Sequence, residues 1–174
     1  MTLQGFVVSP LSRLYIRKIA LSIRKEIGLQ EPYFPIVEFI ELILPRLISG
    51  FHFDIMSESE MGQVHGATFP EKSLIQIRED VYDGACNGNG RDRFTIAHEV
   101  GHFFLHGEAV LTRRFDGKQL PRYKDSEWQA DCFAGELLVP IFLKEETLTP
   151  QCIQSQCGVS EDAANCVKKL WGKG

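Results

Sequence analysis

The run His98-Glu99-Val100-Gly101-His102 constrains this chain more than any other feature. Phe94, Ile96, Ala97, Phe103, Phe104 and Leu105 flank it, and this pattern predicts a largely buried helix from Arg93 to His106 that stops at Gly107. On such a helix the two histidines stand one turn apart and about 40° apart in azimuth, so both imidazoles can reach one ion. Two histidines and a glutamate in a buried helix need partners, because an unpaired polar group away from water is costly. Glu99 points too far round to be a good third ligand and is placed instead to hold water and take its proton. Gly101 costs the helix about 1 kcal/mol relative to Ala, so another backbone or a substrate is expected to approach closely there. His106, one turn beyond His102 but well round from His98, reads as a hydrogen-bonding residue at the helix end.

His-Glu-x-x-His arises by chance in roughly one chain in a few hundred of this length, so a third ligand has to be found. A second helix is predicted from Ser126, where Ser126 and Gln129 fit a capping box, to the stop at Pro140. Ala130, Phe133, Ala134, Leu137 and Leu138 form its apolar stripe. Glu127 stands one turn before Ala130 and continues that stripe, whereas Glu136 falls on the opposite face. A carboxylate aimed into a core is costly unless paired or bound to a metal. Asp131, four residues on, can accept the free N–H of a ligand histidine and fix its tautomer. The residues leave alternatives open: Glu127 could be an N-terminal charge favoured by the helix dipole, Asp131 could pair with Arg91 or Arg93, and Glu108 is a rival third ligand. The metzincin pattern would need Gly at 105 and His at 108, where this chain has Leu105 and Glu108. The gluzincin pattern, with Glu on a later helix and Asp four residues on, fits Glu127 and Asp131.

The rest of the chain reads as one α+β domain. Pro10 to Ile27 is predicted helical, with Leu14, Ile16, Ile19, Ala20, Ile23 and Ile27 inside and Arg13, Arg17, Lys18, Arg24 and Lys25 in water. Pro35 opens a second helix that Pro45 should end or kink. Phe51 to Met56, Val64 to Phe69 and Leu74 to Ile77 read as strands of a small antiparallel sheet, the last two forming a hairpin through Pro70-Glu71-Lys72-Ser73. Asp83 to Asp92 reads as a Gly/Asn-rich loop, and Ser160 as the N-cap of a last helix to Leu170. The net charge of −4 argues against a protein whose main work is gripping phosphate backbones. No apolar stretch has the length of a membrane span, and no signal peptide is evident. Five cysteines, Cys86, Cys132, Cys152, Cys157 and Cys166, match no disulfide framework and read as reduced thiols. Cys152, Cys157 and Cys166 as thiolate ligands would lack a fourth partner at zinc-finger spacing.

The segment Arg93 to His106 resembles the core helix of the ImmA/IrrE family of bacterial and phage metallopeptidases, and Glu127-Trp128-Gln129-Ala130-Asp131 through Pro140 resembles that family's second signature. The resemblance implies a minimal gluzincin-like domain over residues 1–174. Its helical N-terminal part would span 10–48, the sheet and active-site helix 51–107, the ligand helix 126–139 and the C-terminal helices 141–171. It implies zinc on His98, His102 and Glu127, with Glu99 as general base; manganese or iron would suit the same donors. It also implies a cytoplasmic peptidase that cleaves a helix-turn-helix repressor and so derepresses stress, prophage or mobile-element genes. The length leaves no room for the sensor-like domain of larger members. The helix-Gly158-Val159-Ser160-helix tail looks superficially like a helix-turn-helix but reads as a packing element, with no nucleic acid bound directly. Tyr123, Arg122 and His65 are the candidate oxyanion donors, with His52 a weaker one. Two other readings compete: a binding module that sequesters a regulator or toxin partner around a structural zinc, and a zinc hydrolase of a non-peptide amide.

Overall fold

The computed structural model describes residues 6–107, 121–146 and 148–172. Its elements follow in chain order: α1 (Arg13–Glu26), α2 (Ile36–Glu38), a π-helical turn Phe39–Ile43, α3 (Leu44–Leu47), β1 (His52–Met56), α4 (Glu58–Met61), β2 (Gly66–Phe69) and β3 (Leu74–Arg78). Then come α5 (Glu79–Cys86), α6 (Gly90–Leu105), α7 (Ser126–Leu138), α8 (Pro150–Cys157) and α9 (Glu161–Trp171). The α+β class holds, but the sheet, of order β1-β3-β2, is mixed where an antiparallel one is expected. The hairpin β2–β3 is antiparallel, as its short turn requires, while β1 runs parallel to β3 and reaches it by a crossover. Ile75 and Ile77 of the central strand are fully buried under α6.

Helix α6 lies between the sheet and α7, and α7 lies between α6 and α1. This layering explains two departures from the sequence pattern. Arg24 is buried and Leu14 is 58% exposed, the reverse of the expected faces. The guanidinium of Arg24 donates to the backbone oxygens of Leu137, Glu31 and Pro32, so a long cationic side chain satisfies one carbonyl at the end of α7 and two in the segment after α1 that a leucine would strand. Glu136 is buried too, because α1 covers the second face of α7. Arg13 Nε and Arg17 Nε donate to its two carboxylate oxygens at 2.7 and 2.8 Å.

Three further segments differ from expectation. Residues 83–86 are helical, ending α5. Gly84 sits there because a Cβ would come within 2.0 Å of the Asp92 carboxylate, and burial of Val81 and Ala85 outweighs the poor helix propensity of the Gly/Asn cluster. Pro45 does not itself end its helix: the π turn before it lets Leu44 N–H bond Phe39 O, and the chain continues to Leu47. The cap of α7 is Asp125, whose side chain accepts from Glu127 N, so Ser126 and Gln129 are released from the capping box. Ser126 Oγ accepts instead from Phe6 N, within a strap in which Val8 N donates to Lys124 O and Leu11 N to Tyr123 O. The tail around Gly158 packs as expected. Arg93 Nε donates to Gly158 O at 2.8 Å, and a Cβ on Gly90 would strike the Val159 backbone at 2.3 Å.

Gly101 is where α6 and α7 meet. A Cβ there would lie 3.1 Å from Phe133 Cδ1 and 3.2 Å from both Cα and O of Ala130. Two of those three atoms are helix backbone and yield only if α7 moves. Gly101→Ala is therefore expected to forfeit the ~1 kcal/mol that alanine normally gains in a helix and to destabilise the fold by roughly 1–2 kcal/mol through overpacking. A denaturant melt checks this; a rise in stability would show that the two helices have slack.

Candidate metal centre

Asn89 caps α6 by accepting from Arg91 N and Asp92 N, and the helix then runs unbroken through His98, Glu99 and His102. Asp125 fixes the first turn of α7, which carries Glu127. The close crossing at Gly101 brings these two places together. Nε2 of His98 lies 2.9 Å from Nε2 of His102. Glu127 Oε2 is 3.3 Å from the first nitrogen, and Oε1 is 3.5 Å from the second. Among the described residues this is the one group of His, Cys, Asp and Glu donors close enough to share an ion, and the cysteine alternative finds no such cluster. Donors about 2.0–2.2 Å from a tetrahedral zinc stand about 3.3–3.6 Å apart, so the donor set fits a metal, with the His–His pair slightly close.

Each of these side chains is held from behind. His98 Nδ1 lies 2.8 Å from Asp131 Oδ1. A carboxylate only accepts, so Nδ1 carries the hydrogen and Nε2 faces the cluster. Burial alone would lower the pKa of His98, but the hydrogen bonds to Asp131 and Glu127 prevail and raise it to about 10. Burial would raise the pKa of Glu127, yet the imidazoles of His102 and His98 beside it hold it far below the usual carboxylate range. His102 Nδ1 is 3.0 Å from His106 Nδ1. His106 Nε2 is 3.0 Å from Gln129 Oε1, and burial pushes the pKa of His106 down to about 4.

Glu99 is buried and turns to the sheet side of α6. Thr68 Oγ1 donates to its Oε2 at 2.6 Å and also stands 3.0 Å from its backbone oxygen. Gly66, two residues before Thr68 on the same face of β2, leaves the space that the Glu99 side chain fills: a Cβ there would lie 2.6 Å from Glu99 Cγ and 2.9 Å from Oε1. Thus the structure brings together His98, His102, Glu127, Asp131 and Glu99. The side chains of the oxyanion candidates Tyr123, Arg122 and His65 are exposed, and among the described hydrogen bonds none joins them to those five. Glu108 lies outside the described residues. Sequence reasoning missed Thr68, Gly66 and Gln129. The small residue and the hydroxyl at i and i+2 of a strand were visible, but nothing in a pattern says which helix residue they face.

The sequence model of the IrrE N-terminal-like domain, a peptidase family, matches residues 57–163, more than half of the chain. Among solved structures the fold is similar to that of a Mycobacterium tuberculosis transcriptional regulator, with a TM-score of 0.57 and 13% identity over 86% of this chain and 44% of that one. The chain therefore spans less than half the length of that protein, and at this identity the likeness concerns the fold alone. A search of curated proteins returns no match.

The raised pKa of His98 sets a sign for metal uptake. Without an ion, His98 holds a second proton from its ordinary value of 6.5 up to about 10, and an ion must displace that proton. Calorimetric titration with zinc at pH 7 in buffers of different ionisation enthalpy should show about one proton released by this group, and affinity should rise about tenfold per pH unit toward alkaline pH. Uptake with no proton release would contradict the arrangement.

Proposed function

Because the chain belongs to the ImmA/IrrE family of metallopeptidases, we propose that it hydrolyses a peptide bond, with zinc held by His98, His102 and Glu127 and with Glu99 as general base. The observation that supports this most is the placement of two donor histidines and a buried, sheet-held carboxylate on one helix, with a second carboxylate completing the donor set from the next. A bound ion supplies Lewis-acid polarisation of a carbonyl and makes water more acidic. The chain's own residues do the rest. Asp131 holds the His98 ring in register through Nδ1, and Glu127 brings the negative charge that the donor set needs. Glu99 takes the proton of the attacking water and returns it to the leaving amine, while the Thr68 hydroxyl holds the carboxylate still. Among the described residues β2 is an outer strand of the sheet beside α6, so an extended peptide can pair along its outer edge.

The substrate we propose is a helix-turn-helix repressor, in a cytoplasmic setting. Family membership supports a protein substrate, and the similar fold found in a transcriptional regulator fits a role in gene control. No described helix is long and apolar enough to cross a membrane.

Incubation of the zinc-loaded protein with the repressor encoded beside it, followed by mass spectrometry of the fragments, tests the reading. Glu99→Gln keeps the volume and an oxygen for Thr68 but cannot take a proton, so it should bind zinc normally and lose about 10²–10⁴-fold in cleavage rate. Gly66→Ala should behave similarly by displacing the Glu99 side chain. Full cleavage by Glu99→Gln would sink the peptidase mechanism and favour a binding module around a structural zinc.

A further inference from the structure

Gln129 is fully buried on α7, and its carboxamide can point only one way. Its Nε2 donates to two backbone carbonyls, Ser9 O at 2.9 Å in the N-terminal strap and Tyr123 O at 2.8 Å in the turn before α7. A flipped amide would set an oxygen against both of those oxygens, so Oε1 faces His106. An amide oxygen accepts only, so the hydrogen of the neutral His106 ring sits on Nε2. Its Nδ1 is then a bare acceptor. The neighbour of that atom, 3.0 Å away, is Nδ1 of His102, which must therefore carry the hydrogen of its own ring. Nε2 of His102 is left with a lone pair, facing His98 Nε2 at 2.9 Å.

We propose that Gln129 and His106 are positioning residues that place the hydrogen of His102 on Nδ1, and that the direction of this chain is set by the backbone carbonyls of Ser9 and Tyr123. His98 takes its tautomer from a carboxylate, the half-exposed Asp131; His102 takes its own from a buried neutral relay that ends on the backbone. The relay matters because a neutral imidazole in contact with another neutral imidazole has no preferred direction. Without Gln129 the hydrogen of His106 is free to move to Nδ1. His102 would then accept at Nδ1, carry its hydrogen on Nε2 and lose the lone pair that a metal requires. The strap of residues 6–11, far from the cluster in sequence, thereby becomes part of the site.

This inference rests on the reading of His102 as a ligand, and the test separates the two. In the metal-free protein, long-range nitrogen–proton NMR of the imidazoles should find the hydrogen of His102 on Nδ1 and that of His106 on Nε2, with a mixture of His102 tautomers in Gln129→Leu. In chelator competition, Gln129→Leu and His106→Leu should each bind zinc about 10–100-fold more weakly than wild type. His106→Asn should stay within a few fold, because its side-chain oxygen falls near the place of Nδ1 and can accept from His102. Thermal melts of the metal-free variants identify any that fail to fold; the wild-type tautomers remain readable in that event. A wild-type His102 hydrogen on Nε2, or equal losses in His106→Asn and His106→Leu, would overturn the relay. Unchanged affinity in His102→Ala would instead overturn the ligand reading and leave the tautomer result standing.

Discussion

The close crossing of α6 and α7 at Gly101 is the contact on which the rest of the site depends. His98 and His102 belong to one helix and Glu127 to the other, so their convergence within hydrogen-bonding range follows from how near the two axes come. Gly101 lets Ala130 approach with backbone atoms, and the stacked rings of Phe104 and Phe133 extend the same interface. Even a methyl group at position 101 would press on the Ala130 backbone and the Phe133 ring and push the two helices apart. The helix tolerates a poor helix former because the tertiary contact outweighs local propensity.

Around that contact the two donor histidines and Glu99 are each held by different chemistry. Asp131 holds His98 with a charge, Gln129 and His106 hold His102 with neutral groups, and Thr68 holds Glu99 from the sheet. Without an ion, the negative charges of Glu127 and Asp131 retain a proton on His98. An ion replacing that proton meets a site whose net charge already suits a cation, so little needs to move. Pairing of the N-terminal strap with the residues before α7 fixes the helix start on which Glu127 stands.

Much of this was legible in the sequence. Local pattern was enough for the helix of His98, Glu99 and His102 and for the stripe that led to Glu127, because helical period and residue chemistry are local properties. Gly101 announced a close approach, and α7 supplied it. What escaped the sequence depends on partners distant along the chain. Charge is normally solvated, so the pattern puts Arg24 in water; of the three carbonyls it caps, Leu137 O is more than a hundred residues away. The spacing of Gln129 from Ser126 fits a capping box, yet Asp125 is the N-cap in place of Ser126, and the Gln129 amide is free for His106. The loop expected at 83–92 contains the end of a helix because Gly84 is there to admit Asp92. Glu136 was placed on an outer face, and only the docking of α1 buries it.

The central claim is that one ion is held jointly by the two helices. A crystal structure of the zinc-loaded protein with anomalous scattering at the zinc edge tests it most directly. The expected result is a single strong peak with His98 Nε2, His102 Nε2 and a Glu127 oxygen at about 2.0–2.2 Å. A peak ligated by Asp131 or Glu99 in place of Glu127, or one lying away from α6, would contradict it.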